Sequence, residues 1–256
     1  MEAEFEVLRR VPPELGTSAV ALETGADNPL GAPYMVTTHV PGRALRAADW
    51  NPRLATSLAH QIARLHVAFA AGPAPSAASV PSASEQGEEL LAWWGTHHPA
   101  TLSDSRVSAL LPAWLRELTR LAPAFEAVPT HPLIHGDVVA TNVILGPDGV
   151  PRLIDFEWSG PGDRAKDLAL IGGRVFGGPW YLPMTPDDVA AFVTEYSRYS
   201  RHAGAIDPQQ LLARRDAYEL LDRMGNLLYC LSRPGEARYE MWADEIARNL
   251  TDRLAD

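Results

Sequence analysis

Leu133-Ile134-His135-Gly136-Asp137-Val138-Val139-Ala140-Thr141-Asn142-Val143-Ile144-Leu145, and then Leu153-Ile154-Asp155-Phe156-Glu157, carry the chemistry of this chain. Asp137 stands in a glycine-containing turn, and Asn142 follows five positions later at the start of a short apolar run. Pro147-Asp148-Gly149 is a turn signal, so a hairpin should bring Asp155 back beside Asn142. Two oxygen ligands with a third carboxylate nearby suit magnesium, a hard cation that takes few protein ligands and relies on phosphate oxygens for the rest. A carboxylate within hydrogen-bond reach of a hydroxyl can orient it and take its proton, a role open to Asp137.

This small β-rich island lies inside helical sequence. Glu4, Val7, Leu8 and Val11 have helical spacing, and Pro12-Pro13 ends that helix. Thr17 to Glu23 and Tyr34 to Val40 read as strands around a Gly/Asp/Asn/Pro loop, and Pro41-Gly42 turns the chain. Asn51 reads as an N-cap with Pro52 at the first helical position, ahead of an apolar stripe of Leu54, Leu58, Ile62, Leu65 and Phe69. Residues 70–84 are Ala/Pro/Ser-rich and aperiodic, the pattern of a mobile connection. Glu85 to Thr96 and Ser103 to Phe125 read as helices, the second interrupted by Pro112. Beyond the island three helices are expected, starting at Thr185-Pro186 and Asp207-Pro208 and spanning Arg238 to Leu254. No internal repeat is evident.

Composition bounds the function. The 256 residues carry a formal charge of −10, which argues against a broad basic surface for nucleic acid. The single cysteine, Cys230, excludes a disulfide framework and a Cys-rich zinc site and points to a reducing compartment. No apolar leader is visible. The most apolar stretch, Leu168 to Met184, is broken by Arg174, four glycines and two prolines, short of a membrane span. A cytoplasmic protein without membrane contact is expected. Lys166 is the only lysine, so no Gly-Lys phosphate loop exists, nor is there an H-E-x-x-H or G-x-S-x-G motif.

His135-Gly136-Asp137-Val138-Val139-Ala140-Thr141-Asn142 keeps the base-to-amide spacing of the protein-kinase H-R-D-x-x-x-x-N loop, and Asp155-Phe156-Glu157 stands where D-F-G would. With Gly162-Asp163-Arg164-Ala165-Lys166-Asp167-Leu168-Ala169, the chain resembles the aminoglycoside phosphotransferase family, itself similar to choline, fructosamine and macrolide kinases. The resemblance implies an α+β, protein-kinase-like bilobal fold. Residues 1–42 would form a reduced N-lobe, a helix plus about two strands, with the hinge. Residues 43–256 would form a large, mainly helical C-lobe with the catalytic and metal-binding loops. It implies an ATP-dependent (or GTP-dependent) O-phosphotransferase acting on a small hydroxyl-bearing acceptor, cationic if it is an aminoglycoside. Asp137 would be the catalytic base and Asn142 and Asp155 the magnesium ligands. His135 and Asp163 would brace the loop, and Asp167 would anchor its helix start. The main chain at Thr38 and Val40 would meet the adenine edge, and Glu4 would be the glutamate of the N-lobe helix.

The departure lies in the N-lobe. Only three residues precede Glu4, so the strand lysine that pairs with ATP phosphates has no counterpart there, nor does the glycine-rich loop. Arg9, Arg10 and Arg43 are nearby cations, though arginine replaces that lysine poorly. Lys166 follows the metal-binding aspartate on the other lobe and is not expected to stand in. This keeps a second expectation open: a catalytically impaired or N-terminally incomplete chain that binds ligand or partner without turnover. A two-stranded N-lobe sheet is marginal alone. Its edge should lean on the helical lobe or be covered by a partner, for instance in a homodimer.

Other residues read as structural. His66 has the setting of a buried, satisfied histidine, and His97-His98 that of a loop. Trp93, Trp94, Trp114 and Trp242 read as core or groove lining, and Glu157 as solvent-facing. Tyr196, Tyr199, Asp216, Glu219 and Asp222 are either a solvated helix face or the flank of an acceptor groove that would suit a cationic amino-sugar.

Overall fold

Asn51 caps a helix as its sequence demands: its side chain accepts from the Leu54 amide at 3.1 Å, and Pro52 opens α2 (Pro52–Phe69). All five residues of the apolar stripe are buried. The computed structural model describes residues 1–71, 79–204 and 206–255. Ahead of α2 come α1 (Glu2–Leu8), β1 (Ala19–Glu23), β2 (Tyr34–Thr37) and β3 (Arg43–Ala44). After it come α3 (Ala83–His97), α4 (Pro99–Leu102) and α5 (Ser105–Leu121). The β-rich island follows as β4 (His131–Ile134), β5 (Val143–Leu145), β6 (Pro151–Leu153) and β7 (Gly160–Gly162). The chain ends with α6 (Arg164–Ala169), β8 (Gly172–Gly173), β9 (Leu182–Pro183), α7 (Pro186–Tyr199), α8 (Pro208–Leu231) and α9 (Ala237–Ala255).

β1 and β2 form an antiparallel pair, the reduced N-lobe of an otherwise mainly helical α+β fold. This pair leans on the larger lobe. The Leu153 amide donates to the Leu15 carbonyl at 2.8 Å and the Thr17 amide to the Leu153 carbonyl at 3.2 Å, while Leu8, Val11 and Leu15 join the common core. The small sheet thus has a hydrogen-bonded footing and apolar cover that it could not supply alone.

In the large lobe α2 packs on α7, and α8 lies among α3, α5, α6 and α9. Trp114, fully buried on α5, donates its indole N–H to the Leu220 carbonyl at 2.9 Å, giving the polar end of a large apolar side chain its partner.

Several boundaries differ from the sequence expectation. Residues 72–78 of the supposed mobile connection lie outside the described residues. Its later part is tied down: the Val80 amide donates to the Val128 carbonyl, and a Ser82/Glu85 capping box starts α3 two residues before Glu85. His97 closes α3 rather than lying in a loop. A short fourth helix, α6, precedes the three expected after the island.

Candidate active site

The β5–β6 hairpin sets the site. Val143 pairs with Leu153, Ile144 with Arg152 and Leu145 with Pro151, around a turn in which Gly149 takes a φ of 75°. The ladder continues one step: the Ile154 amide donates to the Asn142 carbonyl at 3.0 Å. Asp155 is therefore returned beside Asn142, as the spacing and turn predict. On the other side Asn142 Nδ2 donates to Asp137 Oδ2 at 2.7 Å and to the Asp137 carbonyl at 3.1 Å. Two bonds through one nitrogen fix the amide plane and turn the amide oxygen away from Asp137.

The turn carrying Asp137 is over-determined. His135 Nε2 donates to the Ile154 carbonyl at 3.0 Å, so its Nδ1 is left to accept from the Asp137 amide at 3.3 Å. Burial holds this imidazole below its ordinary pKa, in the neutral form that both bonds require. Gly136 has a φ of 81°, and a Cβ there would run into the Trp158 carbonyl. Fully buried Asp167 accepts from the His135 amide at 2.7 Å, the Gly136 amide at 2.8 Å and His66 Nε2 at 3.0 Å. Burial alone would raise its carboxyl; the His66 hydrogen bond, both histidines and the backbone bring it below the ordinary value. His66 is satisfied on its other nitrogen by the Tyr196 hydroxyl at 2.7 Å.

Two supporting roles are exchanged relative to the expectation. Asp167, not Asp163, braces the loop. Asp163 anchors the helix start instead, capping α6 through the Ala165 amide at 3.1 Å and binding buried Arg214 at 2.7 Å. The two carboxylates sit four residues apart around one helical turn, and which faces the loop depends on the direction in which α6 leaves β7.

Asp137 is half-buried, and its carboxyl is pushed up to about 6 by burial first, then by the charges of Asp222 and Asp155, against the opposing pull of Lys166 and the Asn142 bond. Asp155 is exposed and has a φ of 65°, a left-handed conformation unusual outside glycine. Such backbone strain gathers at functional positions. Among the described residues no three His, Cys, Asp or Glu side chains gather as a metal cage. Asn142 and Asp155 offer hard oxygens, the donor type suited to an ion that takes one or two protein ligands and leaves the rest of its shell to others, as magnesium does.

One cavity is lined by Asp155 itself, and a second by Asp222 and Lys166, whose charges act on Asp137. The first, of about 660 Å³, is lined by Glu4, Thr38, Val40 and Asp155, among others. The Thr38 amide is used by the Ser18 carbonyl at 2.9 Å, and its carbonyl already accepts from the Thr17 hydroxyl at 2.8 Å with a second lone pair left. Glu4 is raised above its ordinary pKa, by burial first and then by Asp155 and Glu157, and the N-terminal ammonium opposes this. The arginines expected near it are engaged: Arg43 is bidentate on Asp49 at 2.5 and 2.6 Å, Arg9 reaches Glu6 at 3.4 Å, and Arg10 lies over Phe69. Glu157 is exposed, as expected.

The other cavity, of about 560 Å³, is lined by Trp94, Trp158, Lys166, Tyr218, Asp222 and Tyr229, among others. Of the five residues considered for the acceptor flank, Asp222 alone lines it. Tyr196 is buried against His66, Tyr199 packs on His60, and Asp216 and Glu219 pair with Arg215. Trp158 and Lys166 were not singled out for this groove by sequence; a tryptophan three residues after Asp155 was the available signal.

A model described as "Phosphotransferase enzyme family" (APH) matches residues 1–208. Viomycin phosphotransferase of Streptomyces vinaceus is 29% identical over 203 residues, 70% of this chain and 67% of that protein. Among solved structures, the GDP complex of aminoglycoside 2'-phosphotransferase-IIIa superposes with a TM-score of 0.64 at 17% identity, covering 99% of this chain and 82% of that one. Plasmodium vivax ethanolamine kinase does so with a TM-score of 0.59 at 14% identity, covering 100% and 72%. At such identities the solved structures speak for the fold alone.

Proposed function

The chain belongs to the APH phosphotransferase enzyme family, and from that premise we propose that it is an ATP- or GTP-dependent O-phosphotransferase acting on a small hydroxyl-bearing molecule. The observation that carries this reading is the convergence of Asp137, Asn142 and Asp155 through direct and one-residue-removed hydrogen bonds. Relatives with nucleotide and acceptor complexes support it: one neighbour was solved with AMP-PNP and hygromycin B, another with GDP and kanamycin.

In this reading the nucleotide base occupies the cavity beside Thr38 and Val40, and the acceptor the aromatic groove. Asp137 orients the acceptor hydroxyl and takes its proton. The hydroxyl oxygen forms a bond to the terminal phosphorus as the bond from that phosphorus to the bridging oxygen breaks, and the nucleoside diphosphate leaves. Asn142 and Asp155 would hold a magnesium ion, whose chemistry here is to neutralise phosphate charge. A carboxyl poised near 6 is ionised at neutral pH yet basic enough to accept a proton in the transition state.

The purified chain with magnesium and ATP or GTP, offered a panel of hydroxyl compounds, should release nucleoside diphosphate, and Asp137→Ala should abolish it. Release that survives the substitution removes Asp137 from this role. A second reading, ligand binding without turnover, is favoured by the engagement of Arg9, Arg10 and Arg43 with partners other than Glu4. It predicts stabilisation by the magnesium nucleotide with no diphosphate released by any acceptor.

A further inference from the structure

Resting on the reading of the aromatic groove as the acceptor site, we infer that this groove takes a hydroxyl compound with a flat apolar or aryl face and little positive charge, stacked on Trp158, rather than a polycation.

The charge inventory of α8 is the first ground. Asp216 pairs with Arg215 at 2.9 Å, Glu219 with the same guanidinium, and Asp222 with fully buried Arg223 at 2.6 Å. Arg223 is itself locked, donating to the Val175 carbonyl at 2.9 Å and the Ala169 carbonyl at 3.1 Å, with Tyr181 stacked 3.4 Å from its guanidinium carbon. Asp216 and Glu219 share Arg215 and lie outside the groove, and Asp222, the carboxylate of the three that lines it, has Arg223, so the wall offers little surplus negative charge to a polyamine. Lys166 adds an ammonium to the same groove. The remaining nearby carboxylates, Asp137 and Asp155, belong to the phosphoryl centre.

The second ground is shape and polarity. Trp94, Tyr218 and Tyr229 supply aromatic walls, and Trp158 stands 68% exposed at the mouth with its carbonyl packed against Gly136, one residue from Asp137. Trp158 thus adds an exposed aromatic face to a groove whose other walls are already aromatic, a surface on which a flat ring can stack. Aromatic faces also attract cations, but the Lys166 ammonium opposes a second positive charge there.

The test uses the full chain and two probes, p-nitrophenyl β-D-glucoside and kanamycin. The aryl glucoside should quench tryptophan fluorescence saturably, with or without magnesium nucleotide, and Trp158→Ala should weaken that binding about tenfold, the loss expected for one stacked ring. Because Trp158 is exposed, this variant should keep its melting temperature. In turnover, Trp158→Ala should raise KM about tenfold with kcat nearly unchanged, and KM should be nearly independent of salt. Absence of saturable quenching, quenching untouched by Trp158→Ala, or kanamycin preferred with a salt-sensitive KM overturns the inference. Saturable, Trp158-dependent quenching supports it even if no hydroxyl compound is phosphorylated, a result that would overturn only the proposed transferase activity.

Discussion

Asp137 carries its proposed role at a cost in stability. Its carboxyl is raised to about 6, so at neutral pH the folded state carries a charge that burial, Asp222 and Asp155 all disfavour. An acid whose folded pKa lies above its unfolded one loses stability as the pH rises from the unfolded value to the folded one, and carries the full cost above it. Asp137→Asn keeps the shape and an oxygen for Asn142 Nδ2, so it should raise stability at pH 7.5 by about 1–2 kcal/mol while cutting turnover by ~10²–10⁴. Paired urea melts and diphosphate-release assays check this, and a lowered midpoint would contradict it. His131 supplies the opposite case. Burial first, then the charge of His66, depresses its pKa to about 4, and its Nδ1 is held by the Leu133 carbonyl at 2.7 Å. Its contribution is fully present above 6.5 and is lost as the pH falls from 6.5 toward 4, in total on the order of 2–3 kcal/mol. His131→Asn should flatten that part of the pH–stability curve; an unchanged slope would show that His131 does not titrate there.

At the level of elements, α6 is the joint between the loop and the helical lobe. Its N-cap Asp163 is also the partner of Arg214, and both side chains are almost fully buried. Asp163→Ala should therefore cost about 3–5 kcal/mol, because it strands a buried guanidinium. Removal of the exposed Arg238–Glu236 pair should cost under ~1 kcal/mol. Urea midpoints separate the two, and comparable losses would refute the distinction. Asn51-Pro52, Thr185-Pro186 and Asp207-Pro208 were legible as helix starts because capping is a local bargain between one side chain and the next amides. Asp163 and Asp167 were not separable, since both lie within one turn of the same start. The faces of α8 were equally opaque: Arg215 takes both Asp216 and Glu219 and Arg223 takes Asp222, with guanidinium groups that also donate to the carbonyls of Gly172, Val175 and Ala169, far away in sequence.

For the whole molecule, the site lies where the small and large lobes share the β5–β6 hairpin and one core, so occupancy should register as global stability. Magnesium nucleotide at about 100 times its dissociation constant should add about 2.7 kcal/mol to unfolding. Melting with ATP and with GTP reads this out, and no shift with either would count against a nucleotide site beside Thr38 and Val40. Sequence alone determined the turn of the proposed base, the hairpin that returns Asp155 to Asn142, the helical stripes and the family, because each is written in short spacings and local turn chemistry. Tertiary structure decided which aspartate braces the loop, which acids are already neutralised, that Asp155 takes a left-handed backbone, and that Trp158 and Lys166 enter the groove. Those outcomes depend on groups distant in sequence competing for the same partners, and no local pattern encodes who wins.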